Sequence, residues 1–313
     1  MANLSITTIC NKNCTYCFAN DAKDQYGNMH MDDIVYKKAL DYICRSGLDQ
    51  VRIMGGEPTL HPNFIQMISY ALEQDLKIML FTNGLISDKI LNFLTDIPEH
   101  RLSILLNTIH PKEGNPVGMS RQQEVMKSLN RSIIPGVNIY SPGQKLDYLI
   151  DYVVRYNLKK EIRFGICHSV LSQNNIFLHP KEYPKIGHHI TLLKYEAMDS
   201  GISLGFDCGF TPCMFPENSL DLLSEELKKA GTCCHPIIDM LPDGTFISCY
   251  PLHNLHKIKL RDDLVANELI RDFENGLSPY KGIGIYPHCT ICPLFNKRCN
   301  GGCMSFRIQR YLQ

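Results

Sequence analysis

Apolar residues in the first part of the chain alternate between two spacings. The short runs "LSITTIC", "QVRIMGG", "KIMLFTNG", "RLSILLNTI", "SIIPGVNIY" and "EIRFGICHS" are rich in β-branched and aliphatic residues and read as strands. Between them the apolar positions space out to helical periods. One such stretch is opened by Asp32 and Asp33 and closed near Gly47, with Val35, Ala39 and Ile43 four residues apart. "FIQMISYALEQ" and "KLDYLIDYVVRYN" are others. Six strand-helix repeats imply parallel pairing through right-handed crossovers, hence an α/β fold with a partial or complete parallel barrel. Chemistry in such barrels sits where strands end and loops begin. Cys17, Glu57, Asn83 and Asn107 all fall at such ends.

After the helical "IGHHITLLKYEAMD" the pattern breaks. "ISLGFDCG" opens a region dense in cysteine, proline and glycine, so residues 1–195 are assigned to the barrel and 196–313 to a second module. No internal repeat or low-complexity segment interrupts either.

The 313 residues can bury a substantial core. Lysine plus arginine equals aspartate plus glutamate at 32 each, so no strong field points toward nucleic acid or an anionic membrane. Apolar runs such as "IMLF" are far too short to span a bilayer. "MANLSITTI" has no cationic n-region and reaches a cysteine before a signal core could finish, which gives a cytoplasmic expectation. In that reducing compartment fourteen cysteines point to metal or iron–sulfur ligation rather than disulfides.

Cys10, Cys14 and Cys17 form C-x3-C-x2-C with no fourth cysteine nearby. Structural zinc closes a tetrahedron with four ligands, whereas three thiolates on one loop can take three irons of a cubane and leave the fourth iron free. A zinc loop borrowing a distant fourth ligand is the alternative. Tyr16 and Phe18 are placed to shield a cluster or stack on a purine. "MGGEP" closes the second strand: Gly55 and Gly56 allow close backbone approach, Glu57 can accept hydrogen bonds from a ligand ammonium, and Pro58 follows. Taken alone, such a turn is more often just a turn.

With Tyr16 as its aromatic, the triplet is C-x3-C-x-aromatic-C, and together with the Gly-Gly-Glu turn it resembles the radical S-adenosylmethionine (SAM) superfamily. The resemblance implies a partial (β/α)6 barrel, and a 4Fe-4S cluster on Cys10, Cys14 and Cys17 whose open iron is chelated by SAM. Reductive cleavage would then yield a 5'-deoxyadenosyl radical that removes a hydrogen atom from substrate. It also implies SAM contacts at Thr82 or Asn83 in "FTNG", at Asn107 for the ribose, and at Val137 and Asn138 near the adenine. Arg163 on the sixth strand points into the barrel or at a helix; if lumenal, it could pair with a SAM or substrate carboxylate. Period-two alternation puts Cys167 on the same face, either as a substrate-proximal catalytic thiol or as a buried structural one. Cys44, within the first helix, reads as core.

Nine cysteines follow residue 200. Cys234 to Cys249 is C-x9-G-x4-C around a "PDG" hairpin turn, and Cys289, Cys292, Cys299 and Cys303 make C-x2-C-x6-C-x3-C with Gly301 and Gly302 permitting a tight wrap. These stretches resemble the SPASM/Twitch extension, which binds one or two auxiliary 4Fe-4S clusters. They depart from its pattern by x6 in place of x5 and by lacking a cysteine after Cys303. Cys208 and Cys213 in "CGFTPC" can make up the deficit; leaving out one of the neighbours Cys233 and Cys234, eight thiolates suit two clusters. One cluster with structural thiols, or a zinc site, are the rivals. His110, His168 and His253 lie near strand ends or loops and carry no assignment.

The expectation is therefore an oxygen-sensitive radical SAM enzyme served by a reducing partner such as flavodoxin or ferredoxin. Peptide modification, by cross-linking or epimerisation, comes first. The early position of Cys10 leaves no room for an N-terminal peptide-recognition domain, which weakens that choice. Dehydrogenation or epimerisation of a small carbohydrate-like or aminoglycoside-like metabolite comes second, and a non-catalytic iron–sulfur or zinc scaffold third.

Overall fold

Helices and strands alternate as the periodicity requires. The computed structural model describes residues 3–112, 114–171, 173–230, 234–299 and 301–312. Its strands are β1 (Asn3–Ser5), β2 (Gln50–Met54), β3 (Lys77–Thr82), β4 (Leu102–Asn107), β5 (Ile133–Ile139), β6 (Glu161–Ile166), β7 (Ser203–Phe206), β8 (Asp239–Met240), β9 (Thr245–Ile247) and β10 (Lys257–Lys259). The helices are α1 (Asn20–Tyr26), α2 (Asp33–Arg45), α3 (Phe64–Glu73), α4 (Asp88–Thr95), α5 (Pro116–Ser128), α6 (Tyr148–Tyr156), α7 (Tyr183–Asp199), α8 (Ser224–Ala230), α9 (Ala266–Leu277) and α10 (Met304–Leu312). All the strands join one sheet in the order β10-β9-β8-β1-β2-β3-β4-β5-β6-β7, with β1 to β7 parallel.

The six strands read from the sequence are present. A seventh, β7, pairs in parallel with β6, Glu161 opposite Ser203 and Phe164 opposite Phe206. "SLGF" is too short to show a period and runs straight into Cys208, so periodicity had left it outside the barrel. At the other edge β8 pairs in parallel with β1, Asn3 opposite Asp239. The "PDG" hairpin of β8 and β9 is thereby bound to the start of the chain. Residues 196–313 thus extend the sheet at both ends.

Alternation along each strand separates two sets of side chains. Leu4, Val51, Leu80, Ile104 and Ile162 face the helices and are fully buried in one large apolar cluster. Their neighbours Arg52, Phe81, Asn107, Asn138 and Arg163 line a central cavity instead. The Asp32 side chain caps α2 by accepting from Ile34 N. The buried face of α2 is Tyr36, Ala39, Leu40, Tyr42 and Ile43, which turns the next position outward, so Cys44 is exposed rather than core. Among the described residues no helix is long and apolar enough to cross a membrane.

Candidate active site

The cysteine loop leaves the end of β1 and is stitched to the turn after β2. Gly56 N donates to Thr7 O at 2.8 Å and Glu57 N to Ile9 O at 2.8 Å. A Cβ on Gly55 would lie 2.4 Å from Thr7 O, and one on Gly56 2.3 Å from Ile9 O. The close approach these glycines permit is therefore that of the chain's own backbone, and it sets the position of Cys10.

The Glu57 carboxylate is completely buried and already occupied. Its Oε1 accepts from Thr59 N (3.3 Å), Thr59 Oγ1 (2.7 Å) and Thr82 Oγ1 (2.8 Å), and its Oε2 from Asn83 N (2.8 Å). Burial raises its pKa against these donors. Glu57 ties the ends of β2 and β3 together, with Thr82 as a partner, and it borders the central cavity. Pro58 begins a short buried turn of 3-10 helix.

Asn83 reaches the cysteine loop directly, donating to Asn11 Oδ1 at 2.8 Å and to Cys10 Sγ at 3.9 Å. Tyr16 stacks on Tyr140, which follows β5, with centroids 4.5 Å apart and planes at 12°. Phe18 packs on Tyr250, 5.0 Å between centroids, in a small apolar cluster with the hairpin. Cys167, past the end of β6, is buried and borders the cavity; burial, then the charges of Cys17 and Cys14, push its thiol well up.

Deeper in the lumen, Asn138 Nδ2 donates to Asn107 Oδ1 at 3.5 Å. Val137, one position along, joins the apolar core and also borders the cavity beside Asn138. Of the two orientations the sequence left open for Arg163 the structure shows the lumenal one, where it forms a close ion pair with Asp207, beyond β7, and lies 5.4 Å over the Phe81 ring. The guanidinium placed in reserve for a carboxylate ligand is thus already paired within the protein. Arg52 lies beside it with a buried Nε that, among the described residues, has no hydrogen-bond partner.

Asp239 accepts from Asn3 Nδ2 at 2.7 Å, and burial pushes its carboxyl up to about 6. The folded state holds this proton more tightly than the unfolded chain does. The group's favourable contribution is therefore full below the ordinary carboxylate pKa and lost as pH rises through about 6, a change of about 3 kcal/mol. Asp239→Asn should flatten that part of the stability curve, measured as urea midpoints between about pH 4 and pH 6.5. Equal slopes in both proteins would contradict the assignment.

The described thiols of the tail sort into two groups of four. Burial, then the charges of Cys234, Cys303 and Cys208, raise the Cys249 pKa. Cys299 and Cys213 are raised first by burial too, and the neighbouring thiols acting on them are Cys289 and Cys292, with Cys213 itself acting on Cys299. One group is Cys208, Cys234, Cys249 and Cys303; the other is Cys213, Cys289, Cys292 and Cys299. "CGFTPC" thus sends one cysteine to each. Cys233 lies outside the described residues. Gly301 and Gly302 adopt φ of 84° and 83°, the left-handed turn that brings Cys299 and Cys303 to different groups. Among the described residues no three Cys, His, Asp or Glu side chains close on a single ion.

His168, uncommitted on the sequence, bonds Cys208 O at 3.1 Å, and a Cβ on Gly209 would lie 2.2 Å from its ring. Tyr140, Asp207 and Arg52 also escaped the sequence reading; the first two directly follow β5 and β7, and Arg52 is the middle residue of β2. A cavity of about 880 Å³ joins these parts. Its lining includes Cys10, Cys14 and Cys17 together with Cys208 and Cys249. Three thiols on a glycine-stitched loop beside a cavity of this size fit a site-differentiated cluster with a small-molecule co-substrate, and each group of four thiols fits one further cubane.

The Radical SAM superfamily model matches residues 4–143. An S-adenosylmethionine-dependent nucleotide dehydratase of Selenomonas ruminantium is 32% identical over 149 residues, 44% of this chain and 53% of the relative. A probable GTP 3',8-cyclase of Methanococcus maripaludis is 29% identical over 136 residues, 43% of this chain and 46% of the relative. The matches span about half the length of these curated relatives. Two solved structures share the fold over almost the whole chain. Native anSMEcpe with bound AdoMet superposes with a TM-score of 0.70 at 20% identity, covering 99% of this chain and 94% of that one. Streptococcus suis SuiB bound to S-adenosylmethionine gives 0.68 at 14% identity, covering 98% and 73%. The cysteine triplet, the Gly-Gly-Glu turn and strands β2 to β5 lie within that matched segment, which is where the chain is similar to the radical SAM superfamily of enzymes.

Proposed function

We propose that this enzyme binds SAM beside a 4Fe-4S cluster held by Cys10, Cys14 and Cys17, and modifies a peptide by radical chemistry, with two auxiliary 4Fe-4S clusters held in the tail. Bound together, the first cluster and SAM supply a 5'-deoxyadenosyl radical that takes a hydrogen atom from the substrate. The observation that carries the reading is a cavity whose lining includes the cysteine triplet together with Cys208 and Cys249. In it, Asn107 and Asn138 present amides to the ribose and adenine end of the co-substrate. Tyr16, stacked on Tyr140, covers one side. Asn83 orients the Cys10 sulfur, and Gly55, Gly56, Glu57, Pro58 and Thr82 hold the loop that does so. Cys167 stands by the substrate as a buried thiol able to return a hydrogen atom in an epimerisation.

Residues 1–195 supply the first six barrel strands, and 196–313 add β7 to them and hold the auxiliary clusters. The peptide assignment draws on the solved structures that match nearly the whole chain, whose complexes include anSMEcpe with the Kp18Cys peptide and SuiB with its precursor peptide SuiA. A small anionic metabolite is the second reading. The idle Arg52 Nε in the lumen favours it, and the curated relatives act on nucleotides by name.

Anaerobically reconstituted protein given SAM and dithionite should form 5'-deoxyadenosine. A short peptide encoded beside the gene should accelerate this by about tenfold or more and gain a cross-link or, in deuterated solvent, one deuterium. No 5'-deoxyadenosine at full iron loading would sink the proposal. Acceleration by a nucleotide or sugar, and not by the peptide, would replace the first reading with the second.

A further inference from the structure

Arg307, in α10, is among the largest side chains the fold buries completely, with 0% exposure. Its Nη2 donates to Tyr280 O at 2.8 Å. Its Nε and Nη1 are buried and, among the described residues, meet no acceptor. A guanidinium cannot shed its proton to escape such a site, so idle donors and a buried charge require an anion. The groups of opposite charge that act on it are the thiols Cys234 and Cys303 from one group and Cys289 and Cys299 from the other. The geometry agrees: Arg307 N donates to Cys303 O at 3.2 Å, and one turn on Arg310 Nη1 donates to the carbonyl of Gly284, which packs against Cys289, so Arg307 lies between the two groups. The start of the same helix points the same way: Met304 N–H donates to Cys234, and the Ser305 and Phe306 N–H groups to Cys303.

We infer that Arg307 is an electrostatic bridge between the two auxiliary clusters, donating its idle N–H groups to their sulfur atoms and favouring the reduced state of both. This rests on the two-cluster part of the function proposed above. Four thiolates leave a cubane net negative, and adding an electron makes it more so; a fixed cation between two such centres stabilises each reduced form. Arg307 is a positioning residue here, since it touches cofactor sulfur and no substrate. It would keep both centres able to take an electron from a substrate radical, or hand one on, at neighbouring potentials.

The test is potentiometric titration followed by electron paramagnetic resonance. In Arg307→Gln both auxiliary clusters should become harder to reduce by about tenfold or more each, which is about 59 mV for a one-electron couple. The SAM-binding cluster should stay where it is. Arg307→Lys keeps the charge but not the fork, and should recover most of the shift. A second measurement needs no variant to fold: wild-type protein grown on arginine with heavy guanidinium nitrogens should show nitrogen coupling to both reduced auxiliary clusters in pulsed spectra. Full iron content with unmoved potentials, a shift confined to one cluster, or no nitrogen coupling overturns the inference. Iron well short of about twelve per chain in reconstituted wild type overturns the two-cluster reading itself.

Discussion

Cys14→Ala should abolish 5'-deoxyadenosine formation, with a loss of about a thousandfold or more, while iron per chain falls from about twelve to about eight. The triplet has no reserve: three thiolates from one loop are the least that leaves a single iron open, and with two the cluster has no stable seat. The loop itself should survive, because its shape depends on backbone bonds from Thr7 and Ile9 to the Gly-Gly-Glu turn and on the Cys17 N to Cys14 O bond, which alanine retains. Cys213→Ala provides the contrast. It also removes one cluster's worth of iron, but from the far group, and should keep SAM cleavage. Cleavage persisting in Cys14→Ala would mean that the radical is not generated at this loop.

Gly56→Ala should destabilise the protein by about 3–5 kcal/mol. The added Cβ would lie 2.3 Å from Ile9 O and 2.6 Å from Thr8 O, both backbone atoms that no rotamer change can move. Relief requires withdrawing the turn from β1, which breaks the Gly56 N to Thr7 O and Glu57 N to Ile9 O bonds and shifts the Glu57 carboxylate. Four buried donors, two on Thr59 and one each on Thr82 and Asn83, depend on that carboxylate. Gly143→Ala is the control, since nothing lies within 4 Å of its Cβ. Urea unfolding of the two variants should separate clearly; coincident midpoints would show that the turn yields easily and that the stitch to the cysteine loop is not rigid.

Much of the barrel was legible because its signals are local. Each of the six strands carries its own apolar run, and α2 carries its own cap at Asp32. β7 was missed because four residues cannot display a period, and only pairing with β6 makes them a strand. Cys44 was misplaced for a related reason: helical spacing was read for Val35, Ala39 and Ile43 but not carried one position further.

The site divides along the same line. Alternation left Arg163 either lumenal or turned to a helix, and its partner Asp207, 44 residues away in sequence, became visible only when β6 and β7 lay side by side. The motif at Glu57 did not reveal its internal donors on Thr59, Thr82 and Asn83, because a motif does not say which donors the next strand brings to a carboxylate. By itself the sequence determined the class of chemistry: cysteine spacing and the Gly-Gly-Glu turn are short-range patterns, dictated by how closely one loop must pass another. Tertiary structure alone decided that Cys208 and Cys213 part company, that Asp207 satisfies Arg163, and that Arg307 lies between two sets of thiols. Those are meetings of groups far apart along the chain, and the free energy that enforces them comes from burying the sheet and helices together, which no local window of residues contains.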